Sequence, residues 1–95
     1  MDLLVAYDVA TASPEGQRRL RRVAKVCESF GVRVQKSVFE LVLNPHELPL
    51  LLHRLNREID TEEDNIRIYR LDERNPVAKL GIENPLSTTR GPLII

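Results

Sequence analysis

One cysteine among 95 residues, Cys27, excludes an internal disulfide and a cysteine-based zinc site. No apolar run approaches the ~18 residues of a membrane-spanning helix, and no basic segment leads into a long apolar stretch at the N-terminus. The expected location is therefore the cytoplasm, with no membrane partner. Tryptophan is absent, and the aromatics are only two Tyr and two Phe. None follows the pattern of a module that stacks bases on exposed aromatics of its central strands. Net charge is lacking as well, with 14 basic and 14 acidic residues, so the total points to no partner. Neither repeats nor low-complexity segments occur. A chain this short makes one domain with limited burial, and association with a second copy would help it.

What is present is an uneven charge distribution. Between Glu15 and Lys36, seven basic residues (Arg18, Arg19, Arg21, Arg22, Lys25, Arg33, Lys36) stand against two acidic ones (Glu15, Glu28). Blocks of this kind are a better guide to an anionic partner than the sum over the chain.

The chain is organised around Leu3–Val9, an apolar run that carries Asp8 near its end and leads into the loop Ala10–Pro14. Such a run reads as a strand buried on both faces. Ser13 and Pro14 then supply an N-cap and a first helical residue. The helix from Pro14 to about Phe30 carries Leu20, Val23, Ala24, Cys27 and Phe30 on one stripe, which makes Cys27 a core thiol. At about 100° per residue, Arg18, Arg21, Arg22 and Lys25 gather on the opposite side, with Glu28 beside them. Gly31 is the expected helix stop.

Val32–Leu43 is rich in β-branched residues and long for one strand, so two antiparallel strands meeting near Lys36-Ser37 fit best. Asn44-Pro45-His46-Glu47 opens a second helix through a capping box. Pro49 calls for a tightened first turn. Leu48, Leu51, Leu52, Leu55 and Ile59 form its inward stripe, while His46 and His53 read as surface or packing residues. Thr61–Asn65 is an acidic turn, and Ile66–Leu71 alternates as a last strand.

The order β-α-β-β-α-β implies an α+β, ferredoxin-like fold with both helices on one face of an antiparallel sheet. Residues 1–72 make this core domain. Residues 73–95 form a proline-broken extension suited to adding a strand along the edge of a second protomer before ending in a tail.

An aspartate at the end of a rigid strand caps a turn, pairs with an arginine, or serves as a metal ligand or general base. One acid is not a catalytic metal site. Magnesium, however, commonly takes only one or two carboxylates beside water and phosphate oxygens, and a two-fold axis would supply a second Asp8. Arginines nearby could neutralise charge developing on a phosphodiester.

The strand Val5-Ala6-Tyr7-Asp8-Val9, the helix text Arg18–Lys25, the segment Arg33–Glu40 and Glu63–Arg70 together resemble the second CRISPR-associated protein family, the small partner of the CRISPR integrase. The likeness spans roughly residues 1–72 in order. It implies a ferredoxin-like homodimer in a bacterial or archaeal cytoplasm. It further implies a metal-dependent endonuclease, chiefly on RNA and sometimes on duplex DNA, that bridges integrase subunits during spacer acquisition. On the matching positions it makes Asp8, from both protomers, the Mg2+ ligand and catalytic residue, with Tyr7 beside it. Arg22 and Arg33 become nucleic-acid contacts and Arg18 and Arg19 generic phosphate contacts, with Ser37 and Phe39 in support. Read from residue type alone, Tyr7 serves sheet packing, Ser37 shapes the bend, and Phe39 suits either core or dimer contact.

Two functions follow: hydrolysis at paired Asp8 carboxylates, and a non-catalytic basic dimer that bridges DNA for the integrase. The acid favours the first, and the cation stripe, larger than one active site needs, favours the second. A small-molecule sensor on the same fold would not need the arginine block.

Overall fold

The computed structural model describes residues 1–71 together with Ala78, Leu80 and Gly81. The elements are β1 (Asp2–Asp8), α1 (Pro14–Glu28), β2 (Gly31–Gln35), β3 (Val38–Val42), a 3₁₀ turn (Pro45–Glu47), α2 (Leu48–Glu58) and β4 (Asn65–Leu71). The sheet order is β2-β3-β1-β4, and every pairing is antiparallel. This is the ferredoxin-like arrangement, with β1 in the interior and β2 and β4 at the edges. The extension assigned to residues 73–95, with its strand for a second protomer, lies outside the described residues apart from those three positions.

β1 departs from the expectation of burial on both faces. Leu3, Val5 and Tyr7 are buried, whereas Leu4 and Ala6 are half-buried and Asp8 is exposed. The period of two sends the first set into the core with Val23, Cys27, Phe39, Leu41, Leu51 and Leu55. The second set faces the other side of the sheet, beside register partners Glu40 and Val38 of β3 and Tyr69 and Arg67 of β4. The helices cover only one face, so an unbroken apolar run gives one buried side and one partly open side.

Ser13 caps α1 through its hydroxyl, which accepts the Gly16 N–H at 3.1 Å. The helix ends at Glu28, and Ser29 is its C-cap in a right-handed conformation. Gly31 is therefore not the left-handed stop but the first residue of β2, and glycine is needed there because a Cβ would collide with the Glu40 carbonyl across the ladder. β2 and β3 meet at Lys36-Ser37 as the sequence implies. That turn uses no positive φ, and an irregularity between Arg33 and Gln35 supplies the local twist that a primed turn would otherwise give.

The Glu47 carboxylate accepts the Asn44 N–H at 2.8 Å, and the 3₁₀ turn absorbs the missing donor of Pro49. On α2, Leu51 and Leu55 are buried and Leu48 and Ile59 pack at the margin. Leu52, expected inward, is exposed. The sheet meets a stripe narrower than the leucine pattern.

One polar contact joins the two halves of the fold. The Asp64 side chain is wholly buried at the entry to β4. Its Oδ2 accepts Arg19 Nε at 2.7 Å and the Asp60 N–H at 2.8 Å, while Oδ1 accepts the Ala10 N–H at 3.0 Å and an Arg19 guanidinium N–H at 3.3 Å. The hydrogen bond from Arg19 is the main cause that holds the Asp64 carboxyl below its ordinary value. Burial opposes it, and the N–H groups of Asp60 and Ala10 add to it.

A folded-state value below the unfolded value of about 3.9 stabilises the fold at neutral pH, and the contribution is lost as pH falls through the depressed folded value. Equilibrium urea unfolding should therefore show wild type well above Asp64→Asn near pH 7, with the gap closing progressively once pH falls below the unfolded value of about 3.9. A gap that stays constant with pH would disprove this assignment.

Candidate nuclease site

Asp8 is the last residue of β1, opposite Asn65 of β4. It is exposed, and among the described residues no donor or cation engages its carboxylate. β1 is extended past its ladder with β3 by the Tyr7 N–H, which donates to the Ser37 carbonyl at 3.0 Å, so the β2–β3 turn lies beside the strand end. Between this turn and α1 runs an open groove of about 630 Å³ whose walls include Asp8, Arg21, Glu28, Arg33, Lys36 and Ser37. Its floor is apolar and includes Val9, Leu20 and Ala24. Asp8 stands at the rim because the sheet runs out there.

Arg33 is fixed from two sides. Its guanidinium lies 5.1 Å over the centroid of Phe39 and 3.5 Å from a Glu28 carboxylate oxygen. Its buried Nε has no hydrogen-bond partner among the described residues. Lys36 is exposed on the turn, and Ser37 is half-buried beside it.

A second, shallower groove of about 380 Å³ is lined by Arg18, Arg21, Arg22, Lys25 and Glu28 on the outer side of α1. Arg21 and Glu28 belong to both grooves, so cations continue from the helix face to the neighbourhood of Asp8. Arg18 has a long 3.8 Å contact with Glu15, both side chains being largely exposed, and such a pair contributes little.

Tyr7, Phe39 and Arg19 are placed as follows. Tyr7, expected beside Asp8 as a catalytic residue, leaves the strand on the opposite face and packs into the core, although it also lines the groove that Asp8 lines. It is buried, its ring stacks on Phe39 at 6.2 Å, and its hydroxyl donates to the Lys36 carbonyl at 3.2 Å. Burial pushes the Tyr7 phenol up, away from any role as a base near neutrality. Phe39 is fully buried and belongs to the core, under Arg33. Arg19, expected to contact phosphate, turns inward to Asp64 and keeps only 15% of its side chain exposed. Asp64 itself was hidden in the sequence as one acid of an acidic turn. Cys27 is fully buried, and its thiol is pushed up to about 12 by burial, as befits a core residue. His46 and His53 are exposed.

A strand-end carboxylate at the rim of a cation-lined groove, on a ferredoxin-like sheet, defines a small α+β domain built to meet an anionic polymer. The chain belongs to the CRISPR associated protein Cas2 family, whose model matches residues 1–77. It is 47% identical over 97 residues to the CRISPR-associated endoribonuclease Cas2 of Nitratidesulfovibrio vulgaris, covering 100% of this chain and 94% of that one. It is 49% identical over 71 residues to the CRISPR-associated endonuclease Cas2 of Halalkalibacterium halodurans, covering 75% and 74% of the two chains. The crystal structure of Streptococcus pyogenes Cas2 at pH 6.5 superposes with a TM-score of 0.71 at 51% identity, over 75% of this chain and 86% of that chain. Among the described residues no helix is long and apolar enough to cross a membrane.

The position of Tyr7 is open to a simple check. Tyr7→Phe removes one hydroxyl that donates to the Lys36 carbonyl and lies beside Arg33, so nuclease turnover should stay within about two-fold while stability falls by about 1 kcal/mol. A fall in turnover of about a hundred-fold with the fold intact would return Tyr7 to the chemistry.

Proposed function

We propose that this chain is a magnesium-dependent endonuclease, cleaving RNA first and duplex DNA second, that acts as a homodimer in CRISPR spacer acquisition with integrase subunits in the cytoplasm. The observation that carries the reading is the unengaged Asp8 carboxylate at the rim of the groove that Arg21, Arg33 and Lys36 line. The names of the relatives, endoribonuclease and endonuclease, support it.

The donor set fits magnesium rather than a softer metal. Among the described residues no group of three or more His, Cys, Asp or Glu side chains could hold a metal ion, so one protomer offers a carboxylate and leaves the other positions to water and phosphate. A second copy facing the partly open side of the sheet would add its own Asp8. Magnesium bound there would supply a more acidic water and polarise the phosphodiester. The chain's own contribution is to hold the metal at Asp8. Arg33, whose direction Glu28 and Phe39 fix, and Arg21 set cationic charge against the phosphoryl oxygens as they become more negative.

A second reading rests on the outer groove. Arg18, Arg22 and Lys25 lie beyond what one cleavage site uses, and they suit a duplex backbone bridged between integrase subunits with Asp8 idle.

Cleavage of labelled single-stranded RNA should require magnesium, stop with chelator, and fall on the order of a hundred-fold or more in Asp8→Ala. Cleavage that survives that substitution would leave the bridge as the function. Independently, Arg22→Ala should lower the slope of log affinity against log salt for duplex DNA by about 1, equally for unrelated sequences. An unchanged slope would remove the outer groove from the binding surface.

A further inference from the structure

We propose that the buried Arg19–Asp64 pair positions Asp8 for the reaction; this rests on the nuclease reading above. The pair grips the peptide two residues beyond Asp8. Asp64 Oδ1 accepts the Ala10 N–H at 3.0 Å, and an Arg19 guanidinium N–H reaches the Ala10 carbonyl at 3.5 Å. Gly16, in the first turn of α1, abuts that same carbonyl so closely that a Cβ would collide with it. Val9, between Asp8 and Ala10, is buried in the core. The chain leaving Asp8 is thus fixed by a core side chain and then at Ala10, whose N–H and carbonyl, in two successive peptides, are both held.

Asp64 also immediately precedes Asn65, which is the register partner of Asp8 on β4. Its Oδ2 accepts the Asp60 N–H, which closes the turn that leads into β4. The two strands that frame Asp8 are therefore tied to one carboxylate, and Arg19 carries the tie to α1, the helix that lines the groove.

A buried ion pair is a poor way to gain stability alone, since apolar residues of similar volume often do as well or better. What an apolar pair cannot do is accept the Ala10 N–H. The arrangement makes sense if the placement of this loop, rather than stability, is what the pair secures. Arg19 and Asp64 are positioning residues, since both side chains are turned inward and neither lines the groove.

The test uses the full chain, magnesium chloride and single-stranded RNA. Three forms are compared with wild type: Asp64→Asn, the conservative Arg19→Lys, and a double variant carrying Arg19→Met with Asp64→Leu. The double variant buries no lone charge but leaves the Ala10 and Asp60 N–H groups without their acceptor, so it should melt several degrees below wild type yet stay folded at the assay temperature. Its kcat should nevertheless fall about ten- to a hundred-fold with KM changed less than about two-fold, and its Ala10 amide should exchange faster with deuterated water. Arg19→Lys, which keeps the charge, should recover part of the loss. A double variant with faster Ala10 exchange and wild-type kcat would overturn the proposal.

If wild type cleaves nothing, the nuclease reading fails, and positioning is read from the Asp8 carboxyl carbon resonance during a magnesium titration. Weaker magnesium binding by about ten-fold in the double variant would uphold it, and equal binding would overturn it.

Discussion

Everything at this site depends on the two-residue period of β1. Successive side chains leave a strand on opposite faces, so Tyr7 is drawn toward the core and Asp8 toward solvent, although both border the groove at the strand end. Tyr7 is drawn under α1 with Val5 and Phe39, and Asp8 is delivered to the strand end with its carboxylate in solvent. Because β1 is an interior strand, paired through Asp8 on one side and extended to Ser37 on the other, the acid rides on the most constrained backbone of the sheet. A side chain free to meet a ligand on a backbone that cannot move is the arrangement that low reorganisation requires.

Parity sets a direction, and the loop beyond the strand decides whether it is kept. Strand ends fray where the ladder stops. Here the first peptide outside β1 is bonded to a buried carboxylate instead of to water. The same carboxylate takes an arginine from the segment richest in cations, which is why Arg19, unlike Arg18, Arg21, Arg22 and Lys25 on the same helix, is withdrawn from the surface. Arg18, Arg21, Arg22 and Lys25 remain on the outer side because the helix period separates them from it.

Much of this was legible in the sequence. The element order, the Lys36-Ser37 junction, the capped and tightened start of the second helix and the cation stripe all follow from local signals: β-branched runs, caps, prolines and the helical period. What stayed hidden was long-range. Asp64 stands between Glu63 and Asn65 in a polar turn, and nothing local separates an acid that will be buried from one that will be solvated. Its partner is 45 residues away. Arg19 was misplaced for the same reason. The face that Tyr7 takes could have been read from alternation with Val5, had the run not been so uniformly apolar that both faces looked buried. Gly31 suited two roles, and only the approach of Glu40 on a neighbouring strand selects between them.

Charge bookkeeping along α1 separates the two readings of function onto different residues. Arg21, Arg33 and Lys36 in the inner groove are countered by Asp8 and Glu28, which leaves one net positive charge. The outer groove sets Arg18, Arg21, Arg22 and Lys25 against Glu28 alone, which leaves three. On the proposed function a nucleic-acid backbone would be drawn first to the outer groove, where screening by salt would be strongest and sequence irrelevant. The inner groove attracts phosphate weakly by itself, and its near balance is what makes room for a divalent cation at Asp8 without excessive repulsion from the arginines. Such a cation would raise the weakly positive end of the cation path to the same net charge as the outer groove. On the proposed function the outer groove would bind with no metal present, while the inner one would engage phosphate strongly only with it. Holding DNA and cutting a phosphodiester would then be separable properties of one surface, divided at Arg21, which lines both grooves.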